Sequence, residues 1–117
     1  MASATRTVLI PAGSTAGTSV ALDRSEYELL SFYFTSVGTT SGGTILIEEA
    51  DWDDLTETPY TGTWSQIASI AASSFTGGAQ VAYHISPTSV GFVRVRISSA
   101  ITGGGTIKVV SRGDDLD

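Results

Sequence analysis

Cysteine is absent from this chain, and charged residues are scarce. Only 15% of its 117 residues are Asp, Glu, Lys or Arg, whereas about 25% is typical of soluble proteins. Without cysteine, no disulfide can stabilise the fold, so packing, hydrogen bonding or oligomerisation must do so. With so few charges, the surface must consist largely of Ser, Thr and Gly. This composition is typical of β proteins that pack against other proteins or face an extracellular medium.

Basic residues are especially few, and the formal net charge is −6. Non-specific binding to nucleic acid needs a basic surface, so we expect no nucleic-acid partner. No apolar run approaches the roughly 20 residues of a membrane-spanning helix, so we expect no membrane partner. The first six residues are not followed by the apolar stretch of a secretory signal, which predicts synthesis and retention in a cytoplasm.

Helix patterns are nearly absent, whereas strand patterns separated by glycine-rich turns are frequent. Eight strands are predicted, at 5–10, 18–22, 27–36, 44–49, 64–71, 80–85, 92–98 and 106–111. Residues 73–78 and the segment 102–105 are read as turns, the latter as a β-hairpin turn. The length indicates a single domain over 1–117, with 1–10 as a candidate N-terminal arm and 112–117 as a loose acidic tail.

Two strands alternate clearly between apolar and polar residues, with the period of two that a half-buried strand requires. In the third, Leu30, Phe32 and Phe34 are predicted to face the core. In the seventh, Val93, Val95 and Ile97 face the core and Arg94 and Arg96 face outward. The sequence therefore predicts an all-β fold, an antiparallel β-sandwich or jelly roll of about seven to eight strands.

The single histidine, His84, lies in a predicted strand. A Ser-His-Asp triad would need a nucleophile beside it, yet no Gly-x-Ser-x-Gly motif and no cysteine is present. We interpret His84 as a surface or interface residue. The chain is predicted not to be an enzyme and to bind no cofactor.

An acidic cluster follows the fourth predicted strand and comprises Glu48, Glu49, Asp51, Asp53, Asp54 and Glu57. Paired carboxylates are used in glycoside hydrolysis and in calcium binding. The calcium-loop pattern fails here because its glycine at position six and its glutamate at position twelve are missing. The interpretation adopted is a solvated acidic loop, with no metal site, or a loop that faces a basic partner surface.

Aromatic residues surround the same loop at Trp52, Tyr60 and Trp64. They suit a core cap, a protein interface or stacking on a sugar. Arg94 and Arg96 suit pairing with acids on a neighbouring strand or with another subunit. The candidate interface residues are Trp52, Tyr60, Trp64, Arg94, Arg96, Asp51, Asp53 and Asp54.

Several segments together resemble small β-sandwich structural proteins of tailed bacteriophages. They are the acidic stretch at 48–54, the segment 60–67 with Trp64, the Val-Arg-Val-Arg strand at 91–97, the glycine turn at 102–105 and the strand at 106–110. The resemblance covers about residues 44–112 and contains no catalytic motif.

What the resemblance implies is a virion component. Such proteins decorate capsids as cement, project as head fibres or form parts of the tail, and decoration proteins are often trimers. The expectation is a homotrimeric capsid decoration protein that binds the major capsid protein across capsomers, on the capsid surface of a virion made in the bacterial host cytoplasm. The alternatives are a tail or baseplate structural protein and a carbohydrate- or receptor-binding adhesin module.

Overall fold

The computed structural model describes residues 3–18, 22–23, 29–51, 64–85 and 91–115. These residues form nine strands and one kinked 3₁₀ helix at Ala72–Gly78. The strands are β1 (Ser3–Gly13), β2 (Gly17–Thr18), β3 (Leu22–Asp23), β4 (Leu29–Val37), β5 (Gly42–Asp51), β6 (Ser65–Ala71), β7 (Gln80–Ile85), β8 (Gly91–Thr102) and β9 (Thr106–Asp115).

The strands form two antiparallel sheets. Sheet A has the order β1-β9-β4-β7, and sheet B has the order β2-β8-β5-β6, with β3 also paired to β8. Strands of the first half pair with strands of the second half in reverse order: β1 with β9, β2 and β3 with β8, β4 with β7, and β5 with β6. The predicted all-β antiparallel fold is confirmed, and this order of strands is that of a jelly roll.

The core lies between the two sheets and follows the predicted alternation. Leu30, Phe32 and Phe34 of β4 are fully buried. On β8, Val93 and Val95 are also fully buried and Ile97 is 4% exposed. Apolar side chains from both sheets and from the 3₁₀ helix complete this core, namely Leu9, Ile45, Ile47, Ile70, Ala72, Phe75, Ile101, Ile107 and Val109.

The glycine turn after β8 does not close a hairpin, contrary to the sequence prediction. β8 belongs to sheet B and β9 to sheet A, so residues 103–105 cross from one sheet to the other. The connection from β4 to β5 crosses beside it in the opposite direction. Backbone hydrogen bonds join the two crossings, from Ser41 N to the Thr102 carbonyl at 2.9 Å and from Gly105 N to the Thr39 carbonyl at 2.8 Å.

The 3₁₀ helix closes the sandwich at the same end as the two crossings. The sequence predicted only a turn at 73–78, but Phe75 is fully buried there, with its ring centroid 6.0 Å from that of Phe34. Two hydroxyls hold the helix in place: Ser36 donates to the Phe75 carbonyl at 2.5 Å, and Thr40 Oγ1 donates to the Ala72 carbonyl at 2.8 Å. These bonds satisfy polar groups that burial would otherwise leave without partners.

Both termini of the described chain belong to sheet A. The sequence suggested an arm over 1–10, whereas Ser3–Gly13 form an edge strand paired with β9 of the same chain. It also suggested a loose tail from 112, whereas β9 continues to Asp115, which pairs with Ser3. The backbone hydrogen bonds of β1 and β4 extend β9 further than its apolar residues alone indicated.

Candidate functional site

The outer face of sheet B carries a compact charged group, made of Glu48, Arg94, Arg96 and Trp64 and called here the Glu48 cluster. Strand register places it: Glu48 on β5 lies opposite Arg94 on β8, and the preceding outward residue of β5, Leu46, lies opposite Arg96. Arg94 and Arg96 therefore flank one carboxylate. Of the two alternatives that the sequence left open for these arginines, the structure shows pairing with an acid on a neighbouring strand of the same chain.

The carboxylate of Glu48 is held by both arginines. Arg94 Nε donates to Oε1 at 2.9 Å, and Arg96 Nη2 lies 3.1 Å from Oε2. The Glu48 side chain is only 7% exposed, whereas those of Arg94 and Arg96 are 23% and 36% exposed. The prediction of a solvated acidic loop is therefore wrong for Glu48, because its carboxylate lies under two guanidinium groups that neutralise it.

Burial and pairing act on the pKa of Glu48 in opposite directions. Burial of the carboxyl raises this pKa, while the hydrogen bonds and charges of Arg96 and Arg94 lower it. The arginines prevail, so the pKa lies below its ordinary value of 4.5. Glu48 is consequently ionised at neutral pH and acts as the anionic centre of the cluster rather than as a proton donor.

Trp64 completes the Glu48 cluster through its ring. The guanidinium carbon of Arg94 lies 4.2 Å from the ring centroid of Trp64, which is a cation–π contact. Trp64 precedes β6, is half-buried and covers the guanidinium of Arg94. Its predicted role at a protein or sugar interface stays a prediction.

The other candidate interface residues lie around the connection from β5 to β6. Asp51 is the last residue of β5 and pairs in register with Gly91. Trp52, Asp53, Asp54 and Tyr60 lie outside the described residues. The same holds for Glu57, so neither the calcium interpretation nor the sugar-stacking interpretation of this loop is tested.

His84 lies on the outer face of sheet A and contacts two residues of β4. Its Nδ1 is 2.8 Å from the Ser31 hydroxyl oxygen, and its ring meets that of Tyr33 edge to face with centroids 6.2 Å apart. A catalytic triad would add a carboxylate on the second imidazole nitrogen. The acidic side chains that the structure describes, Glu48 and Glu49, lie on sheet B.

Basic residues also gather on this outer face of sheet A, a feature that sequence reasoning missed. On β9, the side-chain alternation puts Lys108, Val110 and Arg112 on one face, opposite Thr35, Tyr33 and Ser31 of β4. Arg6 of β1 lies opposite Arg112. The sequence gives no local signal for this arrangement, because Arg6 is separated from Lys108 and Arg112 by most of the chain.

A shallow depression of ≈ 360 Å³ lies on that face. It is called here the sheet A pocket, and it is lined by Arg6, Tyr33, Thr35, Gln80, Lys108 and Val110. Val110 is 7% exposed, whereas Arg6 and Lys108 are exposed. The pocket thus combines one apolar side chain, a phenol ring, two neutral hydrogen-bonding groups and two cations.

The described part of the chain contains neither a cluster of metal-ligating side chains nor a membrane-spanning helix. No group of three His, Asp or Glu side chains there is close enough to hold a metal ion. None of the helices described has the length and hydropathy of a membrane-spanning helix.

Comparisons with known proteins identify a similar fold but no family. No protein-family model matches the sequence, and no curated protein matches it. Among solved structures, the chain is similar to the crystal structure of the SPBc2 prophage-derived protein YomS, with a TM-score of 0.65. The match covers 98% of this chain and 96% of that one at 10% sequence identity, so what the two proteins share is the fold.

Proposed function

We propose that this chain is a structural protein of a bacteriophage particle and that it decorates the capsid. The observation that carries the proposal is the full-length similarity of its fold to a prophage-derived protein. The sequence resemblance to small phage β-sandwich proteins supports the same class independently. In this proposal the partners are the major capsid protein and further copies of the chain, and neither nucleic acid nor membrane takes part. Catalysis is not part of the role.

The architecture suits a protein that bears load. A continuous core joins the two sheets, and the charged Glu48 cluster is fixed by ion pairs within the chain. Each subunit would bury area across a joint between capsomers that internal pressure would otherwise open. A homotrimer would bind the capsid through several weak contacts at once, because the first contact raises the effective concentration of the others.

The edge of sheet A supports association between copies. Among the described strands, β1 pairs only with β9. Its other edge therefore has no strand partner from the described residues and is open to pairing with another chain. The side chain of Val8 on this strand is 42% exposed, whereas most large apolar side chains in the described part of the chain are buried. We propose that the edge of β1 forms the contact between subunits of the trimer.

The first experiment measures the mass of the purified protein in solution and its binding to capsids of the encoding phage that lack it. A trimer that binds these capsids and raises the temperature at which they lose DNA supports the proposal. A protein that binds tails, located by immunogold labelling of whole particles, would replace it with a tail or baseplate role. Binding to neither structure would refute a virion role.

Two exposed valines provide a matched test of the trimer contact. Val8→Lys on β1 is expected to yield monomers, because it places a charge in the contact. Val37→Lys is the control: Val37 is 75% exposed at the end of β4, away from the edge of β1. If both variants dissociate equally, or if neither dissociates, the edge of β1 is excluded as the contact.

A further inference from the structure

The sheet A pocket is positively charged on a protein that is acidic overall. The chain has 6 Lys and Arg residues against 12 Asp and Glu residues. Two of the basic residues, Arg94 and Arg96, are paired with Glu48 on the other sheet. Arg6 and Lys108 lie instead on the pocket, together with groups that can form hydrogen bonds. Charge of this sign concentrated at a concave site indicates an anionic ligand.

The lining residues define that ligand further. Arg6 offers a planar guanidinium, which pairs with a carboxylate through two parallel hydrogen bonds. Lys108 offers a second positive charge from the neighbouring strand β9. The hydroxyl of Thr35 and the amide of Gln80 donate and accept hydrogen bonds. The ring of Tyr33 gives an apolar surface with a polar tip.

We propose that the sheet A pocket binds a saccharide that carries carboxylate groups, such as an oligomer of uronic acids. Arg6 and Lys108 pair with the carboxylates, Thr35 and Gln80 bind sugar hydroxyls, and the ring of Tyr33 packs against the sugar carbons. The volume of ≈ 360 Å³ falls in the range of about 300–1,000 Å³ that is usual for small-molecule sites. This inference goes beyond the role in the virion and does not depend on it.

A saccharide fits this site better than the other anionic partners. Protein interfaces are built around apolar and aromatic residues with polar groups at the rim, whereas this pocket has its cations and hydrogen-bonding groups around a single buried valine. Nucleic acid would require a row of cations along a strand of phosphates, whereas the lining of this pocket contains two cations, Arg6 and Lys108.

The test titrates the isotopically labelled protein with trigalacturonate and follows backbone amides by NMR. The matched ligands are a neutral galactose trisaccharide, which lacks the carboxylates, and hexaglutamate, which carries carboxylates on a peptide. We expect trigalacturonate to shift amides around Tyr33, Thr35, Gln80 and Lys108, and the shifts to weaken with added salt. The neutral sugar should bind at least roughly tenfold more weakly, because it forms no charged hydrogen bonds.

Three variants locate the binding. Lys108→Gln should weaken trigalacturonate binding roughly tenfold, while Arg96→Gln, which removes the same charge from sheet B, should leave it unchanged. Tyr33→Leu should weaken the binding of trigalacturonate and not that of hexaglutamate.

Absence of amide shifts at the pocket, or an equal loss of trigalacturonate affinity in Lys108→Gln and Arg96→Gln, would overturn the proposal. Hexaglutamate binding as tightly as trigalacturonate would also overturn it, in favour of an acidic protein surface. Capsid binding by these variants reports on the virion role separately.

Discussion

Arg94 donates its Nε hydrogen to Oε1 of Glu48 at 2.9 Å across the β5–β8 pair, and it does so beneath the ring of Trp64. A single carboxylate thus organises the outer face of sheet B. Because that carboxylate is nearly covered, the cluster links the stability of the fold to the ionisation of Glu48.

The first prediction concerns pH. The folded-state pKa of Glu48 lies below the ordinary value of 4.5, so the ionised carboxylate stabilises the fold above that value. As the pH falls towards the lower folded-state pKa, the unfolded chain takes up the proton first, and this stabilisation is lost. Glu48→Gln should therefore lower the free energy of unfolding by about 1–3 kcal/mol at pH 7, and the difference from the native chain should shrink in acid. Urea unfolding of the native chain and of Glu48→Gln, at pH 7 and in acid, measures the difference in the free energy of unfolding. A difference that stays constant between the two conditions would exclude this role for Glu48.

The second prediction concerns the contact between Arg94 and Trp64. A double-mutant cycle with Arg94→Gln and Trp64→Leu should give a coupling free energy of about 0.5–1 kcal/mol, the magnitude of a partly exposed cation–π contact. The control cycle pairs Arg96→Gln with Trp64→Leu and should give a smaller coupling, because Arg96 approaches the carboxylate of Glu48. Both cycles are measured by chemical unfolding. Equal couplings would mean that the ring acts through the whole cluster and not through Arg94.

The third prediction concerns the two sheet-to-sheet crossings. Gly103 has φ of +105°, and a Cβ there would lie 2.8 Å from the Thr39 carbonyl oxygen. Gly103→Ala should lower the free energy of unfolding by about 3 kcal/mol or more, through backbone strain together with this close approach. The neighbouring Gly104 is the matched control: its φ is +92°, but a Cβ would have no atom within 4 Å. Gly104→Ala should cost about 1–2 kcal/mol, and equal losses would show that the crossings do not pack as described.

The fourth prediction concerns the hydroxyl of Thr40, which is fully buried and donates to the Ala72 carbonyl. Thr40→Val preserves the shape but leaves that carbonyl without its donor, which should cost about 1–3 kcal/mol. Thr39→Val is the same change at an exposed neighbour and should stay within about 0.5 kcal/mol. Thermal unfolding of the two variants compares them directly. If Thr40→Val proves as stable as the native chain, the hydroxyl does not anchor the 3₁₀ helix.

Strand positions and core faces were predictable because they depend on local alternation. Phe32 and Phe34, or Val93 and Val95, recur every second residue, and such a period can bury only one face of a strand. The partner of each strand was not predictable in this way. The glycine turn at 103–105 would suit a hairpin equally well, and only the pairing of β8 with β5 and of β9 with β4 makes it a crossing between sheets.

The candidate site was likewise predictable from the sequence only in part. Outward-facing Arg94 and Arg96 follow from alternation, and their need for an acidic partner follows from elementary electrostatics. The choice of Glu48 among six neighbouring acids depends on strand register, which no local pattern specifies. The sheet A pocket could not be predicted from the sequence, since Arg6 and Lys108 line one depression only after β1 and β9 have paired.

The pairing of Ser3 with Asp115 has a consequence for synthesis on the ribosome. β9 lies between β1 and β4 in sheet A, so β1 and β4 have no strand to join them until β9 has left the exit tunnel. Until then the nascent chain holds strands whose partners do not yet exist, and contacts of such long sequence separation form slowly. Sheet A is therefore expected to form only after β9 has been synthesised, and a chain that lacks β9 would present open strand edges that favour aggregation.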